Sequence, residues 1–185
     1  PGETGDKKIL KIDPGHVFGT GTHETTRLCI EFIENYVNDG DNVLDIGCGS
    51  GILSIASLLL GAGHADAVDI DPNAVDIAYT NAGMNGIGKD VYTVVSGNIL
   101  LDEELDKQYS GKKYDVVEAN IVADVIIALT EKIPEYIKKG GIFISSGIIV
   151  ERLDDVLDAL KNAGFEVLEV NRDKGWASIA SKYNN

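Results

Sequence analysis

The spacing of apolar positions changes several times along the chain, and each change marks an element. Leu28, Ile30, Phe32, Ile33 and Val37 recur at helical intervals, which predicts an amphipathic helix over Glu24–Val37. Asn38-Asp39-Gly40-Asp41 ends it. Val43–Ile46 is an apolar run of strand length that leads into glycines at 47, 49 and 51. Ile52–Leu60 reads as an apolar helix stopped by Gly61. Ala65–Ile70 predicts the next strand, and Pro72 stands where a helix over Asn73–Asn85 would begin. Val91–Val95 and Tyr114–Ala119 are strand-like, and Asn98–Lys113 between them is a polar connection with some helical character. Val122–Lys139 predicts a helix interrupted at Pro134, and Ile142–Ser145 a further strand. Glu151–Ala163 predicts a helix closed by Gly164. Phe165–Asn171 and Ala177–Ala180 then form a strand pair whose link is too short for a parallel crossover. Ahead of the first helix, Lys7–Asp13 sets Ile9 and Ile12 among charges as an extended arm, and Pro14–Thr22 is a Gly/Thr loop.

Strands alternating with helices at this spacing predict an α/β fold. Its sheet is mostly parallel, carries an antiparallel strand at one end and has helices on both faces. No repeat, low-complexity segment or linker divides residues 1–185, which read as one domain with residues 1–22 as arm and loop. A formal net charge of −14 argues against a nucleic-acid-binding role and favours a basic partner. No apolar run approaches the ~18 residues that span a bilayer, and the polar Pro1–Lys8 lacks the apolar stretch of a signal peptide. Cys29 and Cys48 form neither a C-x-x-C pair nor a metal-ligand cluster. Those features together predict a cytoplasmic protein without a metal site.

Asp45-Ile46-Gly47-Cys48-Gly49-Ser50-Gly51 follows a predicted strand and opens a helix. Such a loop lets a ligand approach the backbone and offers it free N–H groups. The spacing is G-x-G-x-G; Ile52 stands where the dinucleotide fingerprint needs its third glycine, and no Lys-Ser/Thr follows to grip phosphate. About 20 residues further on, Asp69 ends the next strand, at the place where an acid accepts ribose hydroxyls. Asp71, directly before Pro72, reads instead as a helix cap. A glycine loop and a ribose-binding acid without a phosphate grip suit an adenosine ligand that carries no phosphates, such as S-adenosylmethionine.

Four stretches carry a resemblance: Asp13-Pro14-Gly15-His16-Val17-Phe18-Gly19-Thr20-Gly21-Thr22-His23-Glu24-Thr25-Thr26, Leu44–Leu53, Val68-Asp69-Ile70-Asp71-Pro72 and Ala119-Asn120-Ile121-Val122-Ala123. Ser146-Gly147-Ile148 and Gly175-Trp176 add to it. The chain resembles the S-adenosylmethionine-dependent methyltransferases with a seven-stranded Rossmann-like sheet, and within them the PrmA family, which methylates protein eleven of the large ribosomal subunit. The resemblance implies methyl transfer to amines, lysine side chains or an α-amine, of a basic ribosomal protein. It carries cofactor positions over to Thr26, Gly47, Asp69 and Asn120. Gly49 and Gly51 belong to the same loop, Phe18-Gly19-Thr20 to a loop that would close over the cofactor, and Asn98 to the place where relatives contact adenine, with a turn role as its equal alternative. The family's small N-terminal substrate-docking domain has no counterpart in the sequence. That leaves open a fragment of a longer protein or a short relative with another substrate.

Asn120 ends a strand at the edge where open α/β sheets bind ligands, and its amide oxygen can accept from an amine aligned with the methyl. Asn120-Ile121-Val122-Ala123 departs from the Asn-Pro-Pro-Tyr pattern of glutamine and adenine methylation. His23 is a candidate base by position, with helix entry as its alternative, and Arg27 breaks any H-E-x-x-H zinc motif. Cys48 reads as a small packed residue and His64 as a surface turn residue. Transfer to a small molecule, or cofactor binding without transfer, are the competing readings.

Overall fold

The computed structural model describes residues 8–13 and 23–185. Seven strands are present among them: β1 (Asn42–Ile46), β2 (His64–Asp69), β3 (Tyr92–Ser96), β4 (Tyr114–Asn120), β5 (Ile137–Ile149), β6 (Phe165–Asp173) and β7 (Trp176–Tyr183). They form one sheet in the order β3-β2-β1-β4-β5-β7-β6. β1 pairs parallel with β2 and β4, as do β2 with β3 and β4 with β5. β7 pairs antiparallel with β5 and with β6. The antiparallel strand thus lies one place in from the edge, because the short β6–β7 link folds β7 back into the gap beside β5.

The helices are α1 (Glu24–Tyr36), α2 (Ile52–Leu60), α3 (Pro72–Met84), α4 (Glu103–Ser110), α5 (Ala123–Thr130), α6 (Ile133–Tyr136) and α7 (Leu153–Asn162). Alternate strand residues feed two cores, one on each face of the sheet. Val43, Ala65, Ala67, Val116 and Ile144 pack with Phe32, Ile33, Leu53 and Ile55 of α1 and α2. Leu44, Val68, Val117 and Phe143 pack with Ile126, Leu129, Val156 and Leu160 of α5 and α7.

Three features depart from the sequence reading. The helix expected through Lys139 ends sooner: Pro134 sits in the first turn of α6, and Ile137 already pairs with Tyr114 in the sheet. Gly140, at φ +81°, bends β5 before its long parallel run begins at Ile142. In the arm, Ile9 is 76% exposed, whereas Leu10 and Ile12 pack on the core beside α1 and α2. His64 opens β2 rather than lying in a turn, with Nε2 3.4 Å from Asp66 Oδ1.

Candidate cofactor and acceptor site

Strand order reverses between β1 and β4, the arrangement that opens a ligand crevice at the carboxyl ends of parallel strands. β1 delivers the glycine loop to that crevice. Gly47, Gly49 and Gly51 all have positive φ (+78°, +51° and +77°), a backbone that L side chains rarely adopt. Gly47 N–H and Cys48 N–H donate to Val68 O, at 2.8 and 3.2 Å, tying the loop to β2. A Cβ on Gly47 would lie 2.6 Å from Ile121 Cγ2, and one on Gly51 2.7 Å from the Tyr92 hydroxyl. Glycine is therefore required twice by space as well as by dihedral angle.

Asp69 stands at the end of β2 with one carboxylate oxygen facing each neighbouring segment. Oδ2 accepts from Gly49 N–H at 2.7 Å, and Oδ1 accepts from Asp71 N–H at 2.8 Å. Asp71 caps α3 by accepting from Asn73 N–H at 2.9 Å, as expected. Asp69 thus fixes the glycine loop, and each oxygen retains acceptor capacity.

Across the crevice, β4 ends at Asn120 and α1 contributes Thr26, whose side chain is buried. Asn120 Nδ2 donates to Thr26 Oγ1 at 3.4 Å, a long bond that brings together two residues far apart in sequence. With its NH2 turned to Thr26, the Asn120 amide presents its oxygen as the free acceptor. Ser146 at the end of β5 braces this corner: Oγ donates to Thr25 O at 3.1 Å, and Ser146 O accepts from Ile121 N–H at 3.1 Å. Gly147 follows at φ +80°, and a Cβ there would lie 2.5 Å from Ile121 O.

His23 takes the helix-entry role. It precedes α1, its Nδ1 accepts from Thr25 N–H at 3.3 Å, and its ring packs edge-on against Trp176 with centroids 5.2 Å apart. Asn98 makes a turn after β3, Oδ1 accepting from Leu100 N–H at 3.0 Å. Cys48 is buried, and burial pushes its thiol well above the usual range, which fits packing rather than reactivity. Phe18, Gly19 and Thr20 lie outside the described residues. Among the described residues, no group of three or more His, Cys, Asp or Glu side chains is placed to hold a metal ion.

Beneath the glycine loop lie two buried acids that sequence reasoning did not single out as a pair. Asp45 of β1 and Glu118 of β4 are register partners, both fully buried. Asp45 Oδ2 accepts from Ser54 Oγ at 2.5 Å and from Ser54 N–H at 3.2 Å; Glu118 Oε1 accepts from Ser57 Oγ. Asp45 Oδ1 and Glu118 Oε2 have no hydrogen-bond partner. Burial, reinforced by the neighbouring carboxylate of Asp69, pushes Asp45 up to about 6; burial and Asp45 push Glu118 well above the carboxylate range.

The loop, the acid at the end of β2 and the Thr26–Asn120 pair fit an adenosine-bearing cofactor whose far end carries an amino acid. The N–H groups of Gly47, Cys48, Gly49 and Gly51 are taken up inside the fold, so the crevice offers close backbone approach and a ribose-class acceptor, without a cationic phosphate grip.

Comparison with known proteins agrees in fold and sequence. A family model described as ribosomal protein L11 methyltransferase (PrmA) matches residues 2–184. Ribosomal protein L11 methyltransferase of Lachnospira eligens is 46% identical over 175 residues, covering 94% of this chain and 55% of its own. That of Clostridium botulinum (strain Eklund 17B) is 46% identical over 177 residues, covering 96% and 54%. The chain therefore spans about half the length of the curated relatives it matches. The crystal structure of ribosomal protein L11 methylase from Lactobacillus delbrueckii subsp. bulgaricus superposes with a TM-score of 0.86 at 31% identity, covering 97% of this chain and 88% of that one. A putative methyltransferase complexed with SAH shares the fold alone, with a TM-score of 0.74 at 12% identity over 88% of this chain and 50% of that one. The match from residue 2 to residue 184, with relatives 46% identical across nearly all of this chain, places the protein in the PrmA family, the ribosomal protein L11 methyltransferases.

Proposed function

We propose that this chain is the catalytic domain of an S-adenosylmethionine-dependent protein N-methyltransferase acting on amines of ribosomal protein L11. The observation that carries the reading is the meeting, at the β1–β4 reversal, of a glycine loop fixed by Asp69 with a Thr26–Asn120 pair. Family membership supplies the acceptor. A net charge of −14 complements a basic ribosomal protein and would speed its encounter. A ribosomal substrate supports a cytoplasmic reaction. Among the described residues no helix is long and apolar enough to cross a membrane.

S-adenosylmethionine supplies a methyl group already activated on a sulfonium centre. The protein's part is to bind, orient and exclude water. Asp69 would accept the ribose hydroxyls while keeping Gly49 in place, the glycine loop would let the cofactor lie close against its backbone, and Thr26 would stand toward the methionine end. The Asn120 amide oxygen would accept a hydrogen bond from the incoming amine and so orient the amine's lone pair for transfer. A neutral amide cannot take the amine's proton, so that proton leaves to solvent before transfer. At pH 7 this costs about 4.6 kcal/mol for a lysine of ordinary pKa ~10.4, and only about 1 kcal/mol for an α-amine. Burial beside a positive sulfonium lowers the cost in both cases.

Two measurements test the reading in sequence. Calorimetric titration with S-adenosylmethionine, S-adenosylhomocysteine and NAD should show binding of the first two only. Transfer of labelled methyl to purified L11 should then follow, and transfer only to small amines, or binding without transfer to any acceptor, would overturn the assignment.

A further inference from the structure

The extended arm lies along α3, and two asparagines of that helix region hold it by its backbone. Asn85 Oδ1 accepts from Lys11 N–H at 2.9 Å, and Asn85 Nδ2 donates to Lys11 O at 2.6 Å. One turn earlier, Asn81 Oδ1 accepts from Asp13 N–H at 2.8 Å, and Asn81 Nδ2 donates to Asp13 O at 3.0 Å. The match is geometric. Two residues of extended chain advance about 6.6 Å, and four residues of helix about 6 Å. Two primary amides spaced i, i+4 can therefore each pair with the N–H and C=O of every second residue, as a neighbouring strand would.

Asn81 makes one further bond. Its Nδ2 also donates to Ser50 O, at 2.9 Å, inside the glycine loop. The Asn81 side chain is fully buried on a stripe of small residues with Ala74, Ala78 and Ala82. With both donor hydrogens and its carbonyl engaged, the amide has one orientation compatible with all three partners. One side chain thus joins the arm to the loop that receives the cofactor. Asn85 reinforces the joint by donating to Asn81 O at 2.8 Å.

Resting on the cofactor reading above, we infer that Asn81 and Asn85 are positioning residues through which docking of the arm sets the glycine loop for cofactor binding. A docked arm fixes the Asn81 amide, and the fixed amide holds Ser50 O. Release of the arm leaves one N–H and the carbonyl of the amide unmet and the amide free to turn, which loosens its hold on Ser50 O. By linkage, a cofactor that prefers the set loop must also favour the docked arm.

Asn85→Ala is the informative variant. The hydrogen bonds of Asn85 go to the arm and to Asn81, and none of those described goes to the glycine loop. S-adenosylmethionine affinity, read by calorimetry, should fall about three- to tenfold, the range expected from one net hydrogen bond. In the unmodified chain, saturating S-adenosylmethionine should slow tryptic cleavage after Lys11, and in Asn85→Ala this protection should shrink. Asn81→Asp, which keeps the acceptor and removes both donors, should weaken binding further than Asn85→Ala. Unchanged affinity in Asn85→Ala, or cleavage after Lys11 indifferent to cofactor, would overturn the inference while leaving the cofactor reading intact. No binding by the unmodified folded chain would overturn both.

Discussion

Asp69 Oδ2 accepts a hydrogen bond from the Gly49 backbone N–H at 2.7 Å, so the acid assigned to the ribose also holds the loop beneath the cofactor. The two roles separate by substitution. Asp69→Ala removes both and should weaken S-adenosylmethionine binding by about 10- to 100-fold, the range for hydrogen bonds to a charged group. Asp69→Asn retains an acceptor for Gly49 N–H but loses the charge. It should fall between Ala and the native residue in calorimetric titration. Native affinity in both variants would remove Asp69 from the ribose site.

The 3.4 Å contact between Asn120 Nδ2 and Thr26 Oγ1 orients the amide and leaves its oxygen for the acceptor amine. Asn120→Ala should therefore lower the methyl-transfer rate far more than cofactor affinity. A loss of about 100-fold in kcat with a Kd change under threefold is expected, since misplacing a reactant costs that much. Thr26→Val keeps shape and removes the hydroxyl. Its effect should be smaller and in the same direction, because the amide is freed to rotate rather than removed. Equal losses in rate and affinity for Asn120→Ala would make it a binding residue only.

Much of this was legible along the chain for local reasons. Ile52–Leu60 is both the expected and the observed helix, because Gly51 and Gly61, at φ +77° and +128°, mark its ends. Asp69 and Asn120 were legible because each ends an apolar run before a turn. Where a partner distant in sequence decides, the pattern is silent. Ile137 belongs to β5 rather than to a helix because Tyr114 lies opposite it. Asn98 follows β3 in the expected place, and of its two expected roles the side chain takes the turn, closing onto Leu100 N–H. Asn81 carries a signal, a polar residue on the small apolar stripe of α3, but its meaning depends on the arm 68 residues away.

Gly47 combines a positive φ with close packing, Ile121 Cγ2 lying 2.6 Å from where a Cβ would stand. Gly47→Ala should reduce stability by about 1–3 kcal/mol from backbone strain alone, with the side-chain clash in addition. In a chain of this size that is a fall of several degrees in Tm. Adding Ile121→Ala removes the clash but not the strained dihedral. The double variant should therefore recover part of the cofactor affinity lost by Gly47→Ala. Recovery to the native level would show that space alone, and not φ, dictates glycine here.

The buried pair of Asp45 and Glu118 makes stability depend on pH in a direction opposite to that of paired surface acids. Both have folded-state pKa values raised by burial, Asp45 to about 6 from an ordinary 3.8 and Glu118 well above 4.5. The folded state therefore binds protons that the unfolded chain has already released. The contribution of these groups is most favourable below the unfolded pKa and declines as pH rises through about 4 to 6 and beyond. Glu118→Gln replaces one acid by a neutral side chain of the same length. Its Oε1 can still accept from Ser57 Oγ, and its NH2 can donate to Asp45 Oδ1, which has no partner in the native protein. Asp45 then keeps Asp69 as a neighbouring carboxylate but no longer faces a second buried acid on β4. The variant should be more stable than the native protein at pH 8, by about 2–8 °C in Tm, and the gap should narrow steadily toward pH 4. A Tm difference that does not vary with pH between 4 and 8 would show that the pair titrates alike in the folded and unfolded chain, as solvated carboxylates do.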